Sequence, residues 1–207
     1  ILGAGSNLLL TGDYSGSVVH SHIMGHEVIE DCPDYVLLRV GSGETWDDIV
    51  ELSVKNGWYG TENLSLIPGE VGASAVQNIG AYGAEVKDLI YEVEAIDTTT
   101  GNMVVKSNAE CNYSYRQSRF KKEWKDRYII THVIYKLAKK FTPRIDYGNI
   151  KAELDKKHLT NPTAMDVRQA VIDIRRVKLP DPDIQGNAGS FFMNPIVEKA
   201  KYEELAA

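Results

Sequence analysis

Apolar and polar positions recur with strand or helix spacing along most of the chain. "YVLLRVG", 35–41, is an apolar run of strand length, followed by "SGE" and then "TWDDIVELSVKNG". In that last stretch Trp46, Ile49, Val50 and Ser53 fall on one helical face, and Gly57 closes the helix. Thr45 stands where its side chain could cap that helix, with Asp48 three residues on. "LIYEVEAIDTTTGNMVVK", 89–106, alternates from Ile90 to Ile96 and turns at Thr-Thr-Thr-Gly-Asn, which predicts a hairpin. "RYIITHVIYKL", 127–137, predicts a further strand. "NPTAMDVRQAVIDIRRVK", 161–178, predicts an amphipathic helix with Pro162 near its start and Val167, Ala170, Val171 and Ile174 on one face. Pro180 and Pro182 forbid its continuation. The opening "ILGAGSNLLL" reads as a strand end, a glycine turn and an apolar run. The pattern is α+β, with short loops, no internal repeat and no low-complexity tract.

Composition narrows the function classes. The chain has 207 residues, 43% hydrophobic and 25% charged, enough for one or two domains with a real core. A net charge of −6 argues against a general nucleic-acid binder, so any anionic ligand must be met by local cations. Two cysteines, Cys32 and Cys111, are too few for a disulfide framework, which suits the cytoplasm. No segment has the apolar length of a membrane span. The start within an apolar run and the uncapped helical pattern "EKAKYEELAA" at the end lead us to expect a piece of a longer protein.

Four stretches could carry chemistry. Gly3-Ala4-Gly5-Ser6-Asn7 offers successive backbone N–H groups that could wrap a phosphate; a plain turn is the alternative. It lacks the third glycine and the helix of the dinucleotide fingerprint. Residues 66–83, "LIPGEVGASAVQNIGAYG", carry Gly69, Gly72, Gly80 and Gly83 with Ala73, Ser74 and Ala75. So little bulk suits either a large flat ligand or a tight helix–sheet contact. In "NYSYRQSRF", 112–120, Arg116 lies between aromatics and could aim a guanidinium at a carboxylate or stack on the surface; Ser107 and Glu110 form a capping box just upstream. The helix end with Arg175, Arg176 and Lys178 precedes "GNAGSFFMNP", 186–195, by a short Pro-Asp-Pro link, so cations and Ser190 could face one pocket. Tyr147 in "DYGN" adds a hydroxyl on a turn. His20, His22 and His26 suit one strand face rather than a metal site, and "KKEWKDR", 121–127, suits a solvated face.

In their order and spacing, "LGAGSN", "IPGEVGASAVQNIGAYG", "YSYRQS", "DYGN", "RRVKLPDP" and "GNAGSFFMNP" resemble the UDP-N-acetylenolpyruvoylglucosamine reductase family, over almost the whole chain. The tyrosine of "DYGN" is similar to the family's type I branch. The resemblance implies the FAD-binding fold of the vanillyl-alcohol-oxidase type, here over 1–149. From residue 150 to 207 it implies a helical connection and the beginning of a substrate-binding domain. It implies non-covalent FAD, held at its pyrophosphate by Gly3, Ala4, Gly5, Ser6, Asn7 and Leu8. The flavin would be lined by Pro68, Gly69, Gly72, Ala73, Ser74, Asn78, Gly80 and Ala81, with Ile130 nearby. Tyr82, Tyr147, Arg175, Lys178 and Asn194 match positions that grip the UDP-sugar or its enolpyruvyl carboxylate.

Arg116 and Ser190 match two of the family's three catalytic residues; the third, a glutamate, would lie beyond Ala207. Met193 stands where the family often has a lysine. The implied activity is NADPH-dependent reduction of UDP-N-acetylglucosamine enolpyruvate to UDP-N-acetylmuramate, in the cytoplasm, for peptidoglycan synthesis. Arg116 would stabilise enolate charge and Ser190 would give a proton to the α-carbon. An alcohol or sugar oxidase of the same fold and a non-catalytic nucleotide-sugar binding module are the rival readings.

Overall fold

The strands that alternation predicts pair into one antiparallel sheet. The computed structural model describes residues 1–181, 184–187 and 194–206. The sheet has the order β1 (His26–Asp31), β2 (Tyr35–Gly41), β7 (Tyr128–Ala138), β5 (Ile90–Asp97) and β6 (Met103–Ser107). β7 is the central strand, and its apolar positions meet those of β2 in register: Val36 opposite Leu137, Leu38 opposite Tyr135, Val40 opposite Val133. These side chains are fully or nearly fully buried and form the floor of the main core. β1, at one edge, is exposed along its whole length.

Two helices cover the floor. α1 (Trp46–Lys55) buries Trp46, Ile49, Val50, Ser53 and Val54, the predicted face. The Trp46 indole N–H donates to Leu64 O at 2.9 Å, so the ring is anchored as well as buried. Thr45 occupies the N-cap position, but its side chain makes no capping hydrogen bond. The Trp46 N–H donates instead to Gly69 O at 3.0 Å, which joins α1 to the next loop. α2 (Val71–Gln77) lies inside the glycine- and alanine-rich stretch. A Cβ on Gly72 would stand 2.9 Å from Ser42 Cβ, and the Gly72 N–H donates to Ser42 O at 2.9 Å. Part of that missing bulk is therefore a close approach of α2 to the turn that follows β2, where a Cβ has no room.

Beyond α2 come the two-residue strands β3 (Gly80–Ala81) and β4 (Ala84–Glu85), joined through Tyr82 and Gly83. Both turn residues have positive φ, 48° and 77°, as a primed hairpin turn requires. α3 (Asn108–Cys111) starts with the expected capping box. Ser107 Oγ accepts from the Glu110 N–H at 3.3 Å, and the Ser107 N–H donates to Glu110 Oε2 at 2.9 Å. α4 (Ile150–Lys156) and α5 (Ala164–Lys178) form a second, smaller core of Ile150, Leu154, Val167, Ala170, Val171 and Ile174. α5 is capped by Thr163 and Asp166 rather than by Pro162, which precedes the cap. α6 (Lys199–Ala206) is exposed on all sides.

Three expectations need correction. Ile1-Leu2 is no strand end: Leu2 makes an isolated parallel bridge to His20, and residues 3–25 otherwise hold no regular element. His20 and His22 therefore do not share a strand face with His26, which begins β1; their rings meet locally at a tilt, with centroids 4.6 Å apart. "KKEWKDR" is only partly a solvated face. Trp124 packs against Phe120 and Tyr128, with centroids 5.2 and 5.4 Å away, and Lys106 Nζ sits 5.1 Å from its ring.

Candidate functional site

The two glycine loops, distant in sequence, are brought side by side. A Cβ on Gly3 would stand 3.3 Å from Ala73 Cβ, and one on Gly69 would stand 3.3 Å from Ser6 Oγ. The turn that carries Ser42 fixes the second loop to the sheet: Ser42 O accepts from the Gly72 N–H at 2.9 Å, and the Ser42 N–H donates to Thr131 O on β7 at 2.9 Å. Gly5 has φ +74°, and a Cβ there would face open space. Among the described residues, no backbone carbonyl takes the N–H groups of Gly3 to Asn7. A loop of consecutive free N–H groups with small residues is an anion-binding concavity. The residues present fit a dinucleotide pyrophosphate. One group opposes it: the Glu70 carboxylate would lie 3.2 Å from a Gly3 Cβ, where it bonds His20 Nε2 at 2.6 Å.

Within the expected flavin lining, some side chains serve the protein itself. Ser74 Oγ donates to Val71 O at 2.7 Å and lies 3.0 Å from the Tyr135 hydroxyl. Asn78, in the left-handed region at φ 49°, donates to Glu85 Oε2 and Ser114 O and accepts from the Lys87 N–H. Both side chains are buried. Ile130 belongs to the main core. Pro68, Gly80 and Ala81 lie on the surface beside these residues, half-buried or exposed.

Arg116 stands on a tight turn closed by mutual hydrogen bonds between Ser114 and Gln117, at 3.0 and 2.9 Å. Its own φ is 51°, a costly conformation for a side-chain-bearing residue and one that clusters at functional sites. The turn is bolted to α2: Asn78 holds Ser114 O, Ser118 Oγ donates to Val76 O at 2.7 Å, and Lys121 Nζ donates to Gln77 Oε1 and to Arg116 O. Burial, together with the Arg116 charge, lowers the Lys121 pKa.

At the C-terminal end of the 66–83 stretch, Tyr147 and Arg175 come close to Tyr82 and its turn. Gly83 meets Tyr147 and Gly148 meets the Tyr82 ring, at 3.1 and 3.4 Å from the positions their Cβ atoms would take. Burial raises the Tyr82 hydroxyl pKa, and the nearby Arg175 charge opposes that rise. Arg175 is half-buried, and desolvation lowers its pKa. Its Nε donates to Leu66 O at 3.1 Å. Lys178 is exposed one turn further on, and Asn194 is exposed in the last segment. Ser190 and Met193 lie outside the described residues.

Sequence reasoning missed three residues here. Asn63, buried, donates to Tyr82 O and to Arg144 O, both at 2.8 Å, and so fixes the tyrosine turn. Asp47 and Arg168 form a forked pair at 2.7 and 3.0 Å. Burial pushes the Asp47 carboxyl up, but the bonds from Arg168 and Leu66 outweigh it and hold it below its ordinary value.

Residues 1–107 match the family described as an FAD binding domain. The chain belongs to that family. It therefore carries an FAD-binding domain within an α+β fold. Among its relatives, the UDP-N-acetylenolpyruvoylglucosamine reductase of Bacteroides fragilis strain YCH46 is 52% identical over 206 residues, covering 100% of this chain and 61% of that protein. The protein of the same name from Flavobacterium johnsoniae is 50% identical, covering 99% of the chain and 61% of its own length. The chain thus spans about 61% of the length of these curated relatives. The solved UDP-N-acetylenolpyruvylglucosamine reductase of Thermus caldophilus shares the fold, with a TM-score of 0.67 at 23% identity over 99% of this chain and 65% of that one. Among the described residues, no helix is long and apolar enough to cross a membrane.

Proposed function

We propose that the chain is the FAD-binding part and the first substrate-binding part of an NADPH-dependent UDP-N-acetylenolpyruvoylglucosamine reductase, a cytoplasmic enzyme of peptidoglycan synthesis. The observation that carries this reading is the arrangement around residues 66–83. That one segment meets the first glycine loop through Gly69 and Ala73 and itself carries Tyr82 of the Tyr82–Arg175 group, with the Arg116 turn bolted to its helix. The two hydrophobic clusters support a division near residue 149, since the buried members of the second cluster all lie at or beyond Ile150.

Bound FAD supplies the hydride that reduces the enolpyruvyl double bond. The N–H groups of Gly3 to Asn7 hold its pyrophosphate. Tyr82, Tyr147, Arg175, Lys178 and Asn194 orient the UDP-sugar through hydroxyl, amide and cationic contacts to its anionic groups. Arg116 would stabilise the charge that reduction develops on the enolpyruvyl carboxylate, more in the transition state than in the substrate. A proton from the Ser190 hydroxyl to the α-carbon completes the reduction.

The test separates the two half-reactions by stopped-flow absorbance in the full-length protein. Ser190→Ala leaves bleaching of the flavin by NADPH intact and slows its reoxidation by the enolpyruvyl sugar by ~10²–10⁴-fold, the usual range for one positioned proton donor. A comparable loss in the NADPH step, or no reoxidation by the sugar in the unsubstituted protein, overturns the reading.

A further inference from the structure

Leu66 is a leucine in the left-handed region, at φ 57°, between the buried Ser65 and the start of the flavin-side loop. Both of its backbone polar groups are held by charged side chains. Its N–H donates to Asp47 Oδ1 at 2.5 Å, and its carbonyl accepts from Arg175 Nε at 3.1 Å. Asp47 is itself gripped by both Nη atoms of Arg168, only 6% exposed. Arg168 and Arg175 are about two turns apart on α5, so they lie along one helix face. A closed circuit results: Arg168 to Asp47 on α1, Asp47 to Leu66, Leu66 to Arg175, and back along α5.

The circuit has a mechanical consequence. A leucine leaves the left-handed region when its clamp is lost, because its Cβ crowds the following carbonyl there. That motion swings Leu66 O away from Arg175 Nε, and the half-buried guanidinium loses its fixed acceptor. We propose that Asp47 and Arg168 are positioning residues that hold the Arg175 guanidinium through the backbone of Leu66, and thereby set affinity for the anionic sugar ligand. The first half of that statement stands on geometry alone; the second rests on the function proposed above.

The experiment uses the full-length protein loaded with FAD. Removing one partner would strand a buried charge, so both are replaced: Asp47→Ala with Arg168→Met, a swap of an ion pair for apolar groups that folds tend to tolerate. The first readout is hydrogen exchange of the Arg175 Nε–H by nitrogen-15 NMR. Exchange speeds up about 5- to 30-fold, the factor expected from releasing one left-handed non-glycine residue. Adding Leu66→Gly, which rests in that region without strain, restores slow exchange. The second readout is KM for UDP-N-acetylglucosamine enolpyruvate. It rises by a similar factor in the double variant and returns towards the starting value with Leu66→Gly, while flavin reduction by NADPH holds within about twofold. A purely structural pair would not be rescued by a glycine. Unchanged exchange in the double variant, or no rescue, overturns the clamp. Altered exchange with no change of KM, in this variant and in Arg175→Ala, leaves the clamp standing and removes Arg175 from the sugar site.

Discussion

Glu70 is the residue most at odds with an anion cradle. Its carboxylate, 12% exposed, sits between Gly3 and His20, where a pyrophosphate would approach. One unit charge about 4 Å from another is worth about 1 kcal/mol even at the dielectric of water, and more in a partly buried site. Glu70→Gln removes the repulsion and keeps an oxygen for His20. FAD affinity then rises about fivefold, measured by quenching of flavin fluorescence at low ionic strength, and the gain fades as salt screens the charge. Weaker FAD binding in this variant would mean that Glu70 orders the loop and that its charge faces away from the cofactor.

Elements were legible where burial writes a period into the sequence. β5, α1 and α5 carry a strand or helical period, and β2 and β7, with consecutive buried positions, stand out as apolar runs of strand length. α2 shows no helical period of its own, because beside Val71 its buried face is glycine, serine and alanine, so only the alternative of a tight helix–sheet contact pointed to it. Ile1-Leu2 reads as a strand end because apolar residues predict burial, yet Ile1 and the apolar run Leu8, Leu9 and Leu10 are mostly exposed. The clamp around Leu66 had no local signal, since its contacts join residues 109 and 121 apart in sequence. At α2 two effects compete when Gly72 becomes alanine. Helix propensity favours alanine by about 1 kcal/mol. Against it, a Cβ 2.9 Å from Ser42 Cβ and 3.3 Å from Ser42 O overpacks a contact whose backbone is fixed by a hydrogen bond, at about 1–3 kcal/mol. Gly72→Ala therefore lowers stability in urea, and Ser42→Gly added to it recovers most of the loss. A stabilised Gly72→Ala protein would show that α2 has room to withdraw.

At the scale of the whole molecule, two apolar cores meet through a polar seam. Tyr82 packs on the second core, while Asp47–Arg168 and Leu66–Arg175 tie it to the first. Trp46 is buried in the main core and Trp58 and Trp124 pack against it, so tryptophan fluorescence reports that core alone. Ellipticity at the helix band reports α5 strongly, because α5 is the longest helix among the described residues. With the seam intact, both signals fall at one urea concentration, as cooperative unfolding requires. Asp47→Ala leaves the Arg168 charge buried without its partner, at a cost of about 3–5 kcal/mol. That cost falls on the docking of α5 rather than on the interior of the sheet. The helix signal then moves to lower urea and separates from the fluorescence transition, which shifts less. If both transitions moved together in the variant, the cores would be coupled mainly by apolar contacts such as Tyr82, and the ion pair would be incidental to their union.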